Sequence, residues 1–152
     1  MTTAANPLPS ADQDFVHNTT ALHSIQIDAA KLAKQNTDDE DVQAFAKRVI
    51  TDSIRLFMQL KAVAPHRVTV PKANHHSELL NSLRPLSGTE FDHAYVSTFG
   101  LELLERGIAA YETEVVDGED PSLKNAAQNA LPTLREHHSM GRKLAQKMGI
   151  AK

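Results

Sequence analysis

With no cysteine in the chain, any metal binding or proton transfer must come from its eight histidines and nineteen Asp and Glu residues. Thiolate chemistry and disulfides are excluded. His137 is the histidine best placed to matter. It falls in the run Leu123, Ala127, Ala130, Leu134, His137, Gly141, Leu144, Met148, spaced alternately by four and three. That spacing is the seam of a helix packed lengthwise on others. An imidazole in such a seam is either a metal ligand or acid–base group, or a buried histidine hydrogen-bonded inside the fold. The second reading is preferred, with Gln26, Ser53 or a carbonyl freed by Pro132 as partner, because no ligand set is visible around it.

The other candidates read as surface. Glu102, Glu105 and Glu112 with Asp92 suggest carboxylate bridging of two metals, but no Glu-x-x-His pair recurs on two helices, and a solvated charged face explains them. Arg135 and Glu136 adjoin His137 without sharing its face. His66 with His75 and His76 reads as an adventitious surface metal site on a loop. His17 and His23 are six apart, which does not place them on one face. Met58, Met140 and Met148 are scattered and read as core or rim filler rather than a copper site. There is no phosphate-binding glycine loop, nucleophile elbow or paired catalytic carboxylate.

The elements that position these residues are helices. Ser10 with Gln13 reads as a capping box opening a first helix to about Asn36, with seam Phe15, Thr19, Leu22, Gln26, Ala29 and Ala33. Thr37 with Glu40 reads as a second box, so the junction is short and the first two helices form an antiparallel hairpin. The second helix, to about Ala64, has the seam Val42, Ala46, Val49, Ser53, Leu56, Leu60 and Val63. Gln26 and Ser53 are polar residues in mid-seam, at comparable distances from the hairpin tip. Residues 65–88 are too long for an up-down link and read as extended chain with a short helix near Ser77–Leu83. A third long helix, about Thr89 to Val116, has Thr89 or Ser87 as N-cap and the seam Ala94, Ser97, Leu101, Leu104, Ile108, Tyr111 and Val115. Gly100 and Gly107 inside it predict close helix contact. Asp117-Gly118 ends it. Asp120 caps the last helix with Pro121 at N1, Pro132 predicts a kink, and Gly149 a stop.

Composition fits one helical domain over residues 10–149 behind a disordered tail, 1–9. Aromatics are 5% with no Trp, which favours closely packed helices over a sandwich. The net charge of −3 offers no basic footprint for nucleic acid. No apolar run reaches membrane-span length, and the N-terminus carries no signal-peptide pattern.

The pieces FDHAYV (Phe91–Val96), DPSLKNAAQNALPTLREHH (Asp120–His138), and AFAKRVITDS with LKAVA (Ala44–Ala64) resemble a bacterial family, the DUF4142 proteins. The similarity runs from Asp14 to Ala145. It implies a ferritin-like four-helix bundle with a long crossover carrying a short extra helix. It also implies a periplasmic or envelope location, although this chain shows no signal peptide; otherwise the protein is cytoplasmic. The family pattern turns one polar residue inward from each helix: a Glu, a His after Asp, a His, and the His of LPxLxxH. At the matching positions this chain has Gln26, Ser53, Leu103 and His137. Three of those positions lack an anionic oxygen or imidazole, so no metal and no other cofactor is expected, His137 being a weak candidate ligand at most.

The resulting reading is a noncatalytic, stress- or envelope-associated bundle that acts through an unknown protein partner. It has no nucleic-acid or membrane-spanning role and no assigned oligomeric state. The alternatives are a metal-binding or redox protein using His137, and a carrier of a small apolar ligand near Leu103, Gly100 and Gly107.

Overall fold

The computed structural model describes residues 8–63 and 78–150. All regular structure among them is helical: α1 (Ser10–Asn36), α2 (Glu40–Val63), α3 (Glu78–Leu83), α4 (Gly88–Tyr95), a π-helical segment (Val96–Glu102), α5 (Leu103–Asp117) and α6 (Pro121–Lys147). This is the expected all-α bundle. None of these helices is long and apolar enough to cross a membrane. Residues 1–7, His66, His75, His76 and the extended chain expected around Pro65 and Pro71 lie outside the described residues. Leu8, assigned to a disordered tail in the sequence reading, is buried.

Contacts between helices set their directions. Asn36, ending α1, donates to the carbonyls of Arg84 and Leu86 just before α4. Asp12, near the start of α1, accepts from the amides of Glu119 and Asp120 beyond α5. The stretch α4–α5 therefore runs antiparallel to α1. Arg48 and Arg55 on α2 meet Glu136 and Thr133 on α6 in reversed order, and Lys147 pairs with Asp41. So α6 runs antiparallel to α2. With α1 and α2 joined by three residues, the end of α2 lies at the opposite end of the bundle from α3. The length of α2, 24 residues or about 36 Å of rise, separates those ends.

The caps differ in part from expectation. Asp120 caps α6 through Leu123 N at 2.9 Å, with Pro121 at N1. Ser10, however, is the first residue of α1, Pro9 holds the cap position, and Gln13 donates to Leu8 O at 2.6 Å instead of completing a box. On α2 the cap is Asp39, whose carboxylate accepts from Asp41 and Val42. Thr37 instead accepts from Asp39 N at 3.1 Å. Ser87, not Thr89, precedes α4. Helix α6 continues through Pro132 and stops at Gly149, at φ +75°. There Ile150 N bonds Ala145 O and Gly149 N bonds Gln146 O, the paired bonds of a Schellman ending.

The largest departure is in the third long stretch. Of the expected seam Leu101, Leu104 and Tyr111 are buried while Ala94, Ser97, Ile108 and Val115 are half-buried, and a second set, Phe91, Tyr95, Phe99, Leu103 and Gly107, is buried beside them. Positions four apart drift by about 40° per step around an α-helix. The wider π turn takes up that drift and holds this four-spaced set on one side. Phe91 and Tyr95 stack at 5.5 Å, Tyr95 and Phe99 at 5.7 Å, and Phe45 of α2 meets Tyr95 edge-on. Gly100 faces Gly141 of α6. A Cβ on Gly141 would lie 2.8 Å from the Gly100 carbonyl carbon, so two backbones touch here. Gly107 faces Leu22 of α1.

Candidate functional site

His137 is 1% exposed. Its Nε2 lies 2.8 Å from Asp52 Oδ2, and a carboxylate only accepts, so the imidazole is the Nε2–H tautomer donating to Asp52. The partner is thus neither Gln26, Ser53 nor a carbonyl freed by Pro132. Asp52 reaches His137 because it sits beside Ser53 on the α6 side of α2. It is held from outside by Arg48 and Arg55, at 3.4 and 3.3 Å, one turn away on either side. Burial works to raise the Asp52 carboxyl, but the hydrogen bonds from His137 and Arg55 and the Arg48 charge leave it below its usual range. His137 stays low because burial outweighs the help of Asp52. At neutral pH the pair is therefore a neutral imidazole on a carboxylate.

A second buried imidazole, His23 on α1, shares a 2.6 Å hydrogen bond with the Tyr111 hydroxyl of α5. Phe15 packs edge-on against that tyrosine at 5.0 Å. Burial, and then the proximity of His137, lower His23 to about 4. Burial raises Tyr111. Both groups are neutral across the physiological range. Pairing His23 with His17 hid its place. It lies four residues after Thr19 and three before Gln26, inside the α1 seam.

Gln26 is buried and donates to Phe99 O at 3.1 Å. The Leu103 amide, which an α-helix would bring to that carbonyl, instead reaches back to Thr98 O across the π turn. Gln26 thus serves a backbone acceptor that the π segment exposes. Its Oε1 has no partner. Ser53 is buried beside Asp52, and Leu103 is buried at the first turn of α5. Of the four residues that the family resemblance selected, Gln26 and His137 bond to Phe99 and Asp52, not to each other. Asp52, His23 and Tyr111 act with Gln26 and His137 in joining the helices here.

A separate polar cluster closes the far end. The buried Asp12 carboxylate accepts from Glu119 N and Asp120 N, at 3.0 and 3.3 Å. Beside it Glu114 is 1% exposed, and neither of its carboxyl oxygens has a hydrogen-bond partner. Burial and the Asp12 carboxylate push Glu114 up to about 8. On the outside, Glu112 pairs with Arg135 and Glu105 with His138, as a solvated face requires. Met58 is an exposed rim residue, while Met140 and Met148 are half-buried.

Among the described residues no three His, Asp or Glu side chains are grouped so as to hold a metal ion. What the site does in chemical terms is hold buried polar groups in register across α1, α2, α5 and α6. The family model described as "Domain of unknown function (DUF4142)" matches residues 1–144. No curated protein and no solved structure matches the chain.

Proposed function

Since this chain belongs to the DUF4142 family, we propose that it is a noncatalytic, ferritin-like four-helix bundle, one domain over residues 10–149, that works by binding a partner protein in the envelope or under stress. The observation that carries this reading is the commitment of His137 to Asp52, which is itself held by two arginines. A general acid or base needs a free face toward a substrate, and this imidazole points its proton at a carboxylate tied on both sides.

In this reading Gln26, Ser53, Leu103 and His137 lie at one level of the interior and hold no transition metal. Gln26 is a neutral amide already bonded to Phe99 O, Ser53 a weak hydroxyl ligand, and Leu103 has no donor atom. Desolvating a divalent ion in an apolar interior is not offset by one imidazole. The metal-binding alternative rests on His137, whose Nε2 is already bonded to Asp52.

The test titrates Zn²⁺ or Fe²⁺ into untagged protein, into His137→Ala, and into the combined Gln26→Glu, Ser53→His, Leu103→His variant. Stoichiometric binding by the parent that disappears with His137→Ala overturns the proposal. Binding gained only by the triple variant supports it.

A further inference from the structure

Ion pairs close two sides of this bundle. The α2–α6 side is closed by Arg48 with Asp52 and Glu136, and the α5–α6 side by Arg135 with Glu112 and His138 with Glu105. Between α1 and α2, on the outer face, lies a groove of about 350 Å³ with Ala30, Ala46 and Ile50 in its lining. Lys34 from α1 and Lys47 from α2 stand at its two edges, and no carboxylate lines it. Neither ammonium is paired with an acid among the described residues. Positive edges on a chain of net charge −3 are a local inversion of sign.

The apolar character continues past the groove. Ile54 and Met58 follow Ile50 at four-residue steps, on the same face of α2. They are 48% and 57% exposed. Lys31, exposed one turn before Lys34, and Lys61, exposed one turn after Met58, extend the positive border.

We propose that this α1–α2 groove docks an acidic amphipathic helix of a partner protein. Two antiparallel helices leave a furrow that a third helix fills by packing ridges into it. Anchors at i and i+4 are how helix-binding grooves read their ligand. Ile50, Ile54 and Met58 span about two turns, roughly 12 Å, and match one apolar face of such a helix. Glu or Asp residues flanking that face meet lysines from both edges, which favours acidic helices and excludes basic ones. Met58 supplies an adaptable contact. A concave furrow fits a helix better than it fits a flat bilayer. The proposal rests on reading the bundle as a protein-binding module.

The experiment uses a fluorescent synthetic amphipathic helix with Leu on one face and Glu on the flanks, beside the same peptide with Lys for Glu. Anisotropy titrations are run on the full chain, on Ile54→Ser/Met58→Ser, and on Lys34→Glu/Lys47→Glu. The Glu peptide is expected to bind the parent at least about tenfold tighter than the Lys peptide, with affinity falling as salt rises. The serine variant loses about tenfold or more, and the charge-swapped variant reverses the peptide preference. Circular dichroism melts should remain unchanged, since the substituted side chains are exposed. No saturable binding, equal binding of the two peptides, or binding indifferent to both variants overturns the proposal.

Oxidation of Met58 by dilute peroxide tests for an occupant already in place. Slow oxidation together with no peptide binding means residues 64–77 cover the groove, which overturns it. A concentration-dependent dimer abolished by Ile54→Ser/Met58→Ser assigns the groove to a second copy and overturns it too. Metal binding by the parent would overturn the noncatalytic reading without touching these isotherms.

Discussion

Glu114→Gln removes one ionisable group from a buried turn and keeps its shape. Glu114 faces Asp12 from α1, and Asp120 and Lys124 from the start of α6 act on it from further away. Its pKa moves from 4.5 to about 8. Between those values the folded protein retains a proton that the unfolded chain has released. Stability therefore falls as pH rises through that window, and the loss is complete above the folded pKa. At about 1.4 kcal/mol per pKa unit, the displacement sets a ceiling of about 5 kcal/mol. Water entry and the Lys124 charge reduce it, and the expected loss is about 2–3 kcal/mol. Asp12 titrates below this window, because the neighbouring Glu114 carboxyl and the hydrogen bonds from the Glu119 and Asp120 amides outweigh its burial. The assay is urea unfolding of parent and variant at about pH 5, 7 and 9, compared at constant m-value. The parent should lose stability toward pH 9 while Glu114→Gln stays nearly flat, and the two curves should cross. Parallel curves would refute the placement of a protonated Glu114 beside the Asp12 carboxylate.

Gly141→Ala should destabilise by about 3 kcal/mol or more, because the new methyl meets the Gly100 backbone, which cannot move aside. Gly100→Ala, whose Cβ would sit 3.5 Å from Gly141 Cα, and Gly107→Ala, which meets only the flexible end of Leu22, should lower the melting temperature less. Equal melts for all three would exclude the Gly100–Gly141 contact. His23 is depressed from 6.5 to about 4, so the parent loses stability as pH falls through that interval, up to a ceiling of about 3 kcal/mol. Acid titration followed by circular dichroism should show His23→Gln unfolding at lower pH than the parent. Asp52→Leu leaves a buried imidazole N–H without its acceptor and should cost about 1–3 kcal/mol in urea melts. Asp52→Asn should lower the His137 pKa further in an NMR titration, because Asp52 favours the charged imidazole; an unchanged value would argue against the pair.

The apolar seams of α1, α2 and α6 were legible in the sequence because burial at spacings of three and four is a local property of each helix. Asp120, Pro121 and Gly149 could be placed for the same reason, since their backbone preferences act on the next residue or turn. The N-caps of α1 and α2 were misplaced by one to two residues. Ser10 and Thr37 are both competent caps, and the choice among neighbouring candidates follows the angle at which the chain enters the packed helix. The π turn after Tyr95 was not legible. An α and a π turn differ by one residue, and the exposed Phe99 carbonyl is tolerable here only because Gln26 arrives from α1. The same holds for the site. The chain showed that His137 faces inward, but its partner Asp52 lies 85 residues away and His23 meets Tyr111 across 88. A seam is written in the period of one helix. A hydrogen-bond partner depends on the relative height and rotation of two helices, which the packing of the whole bundle sets.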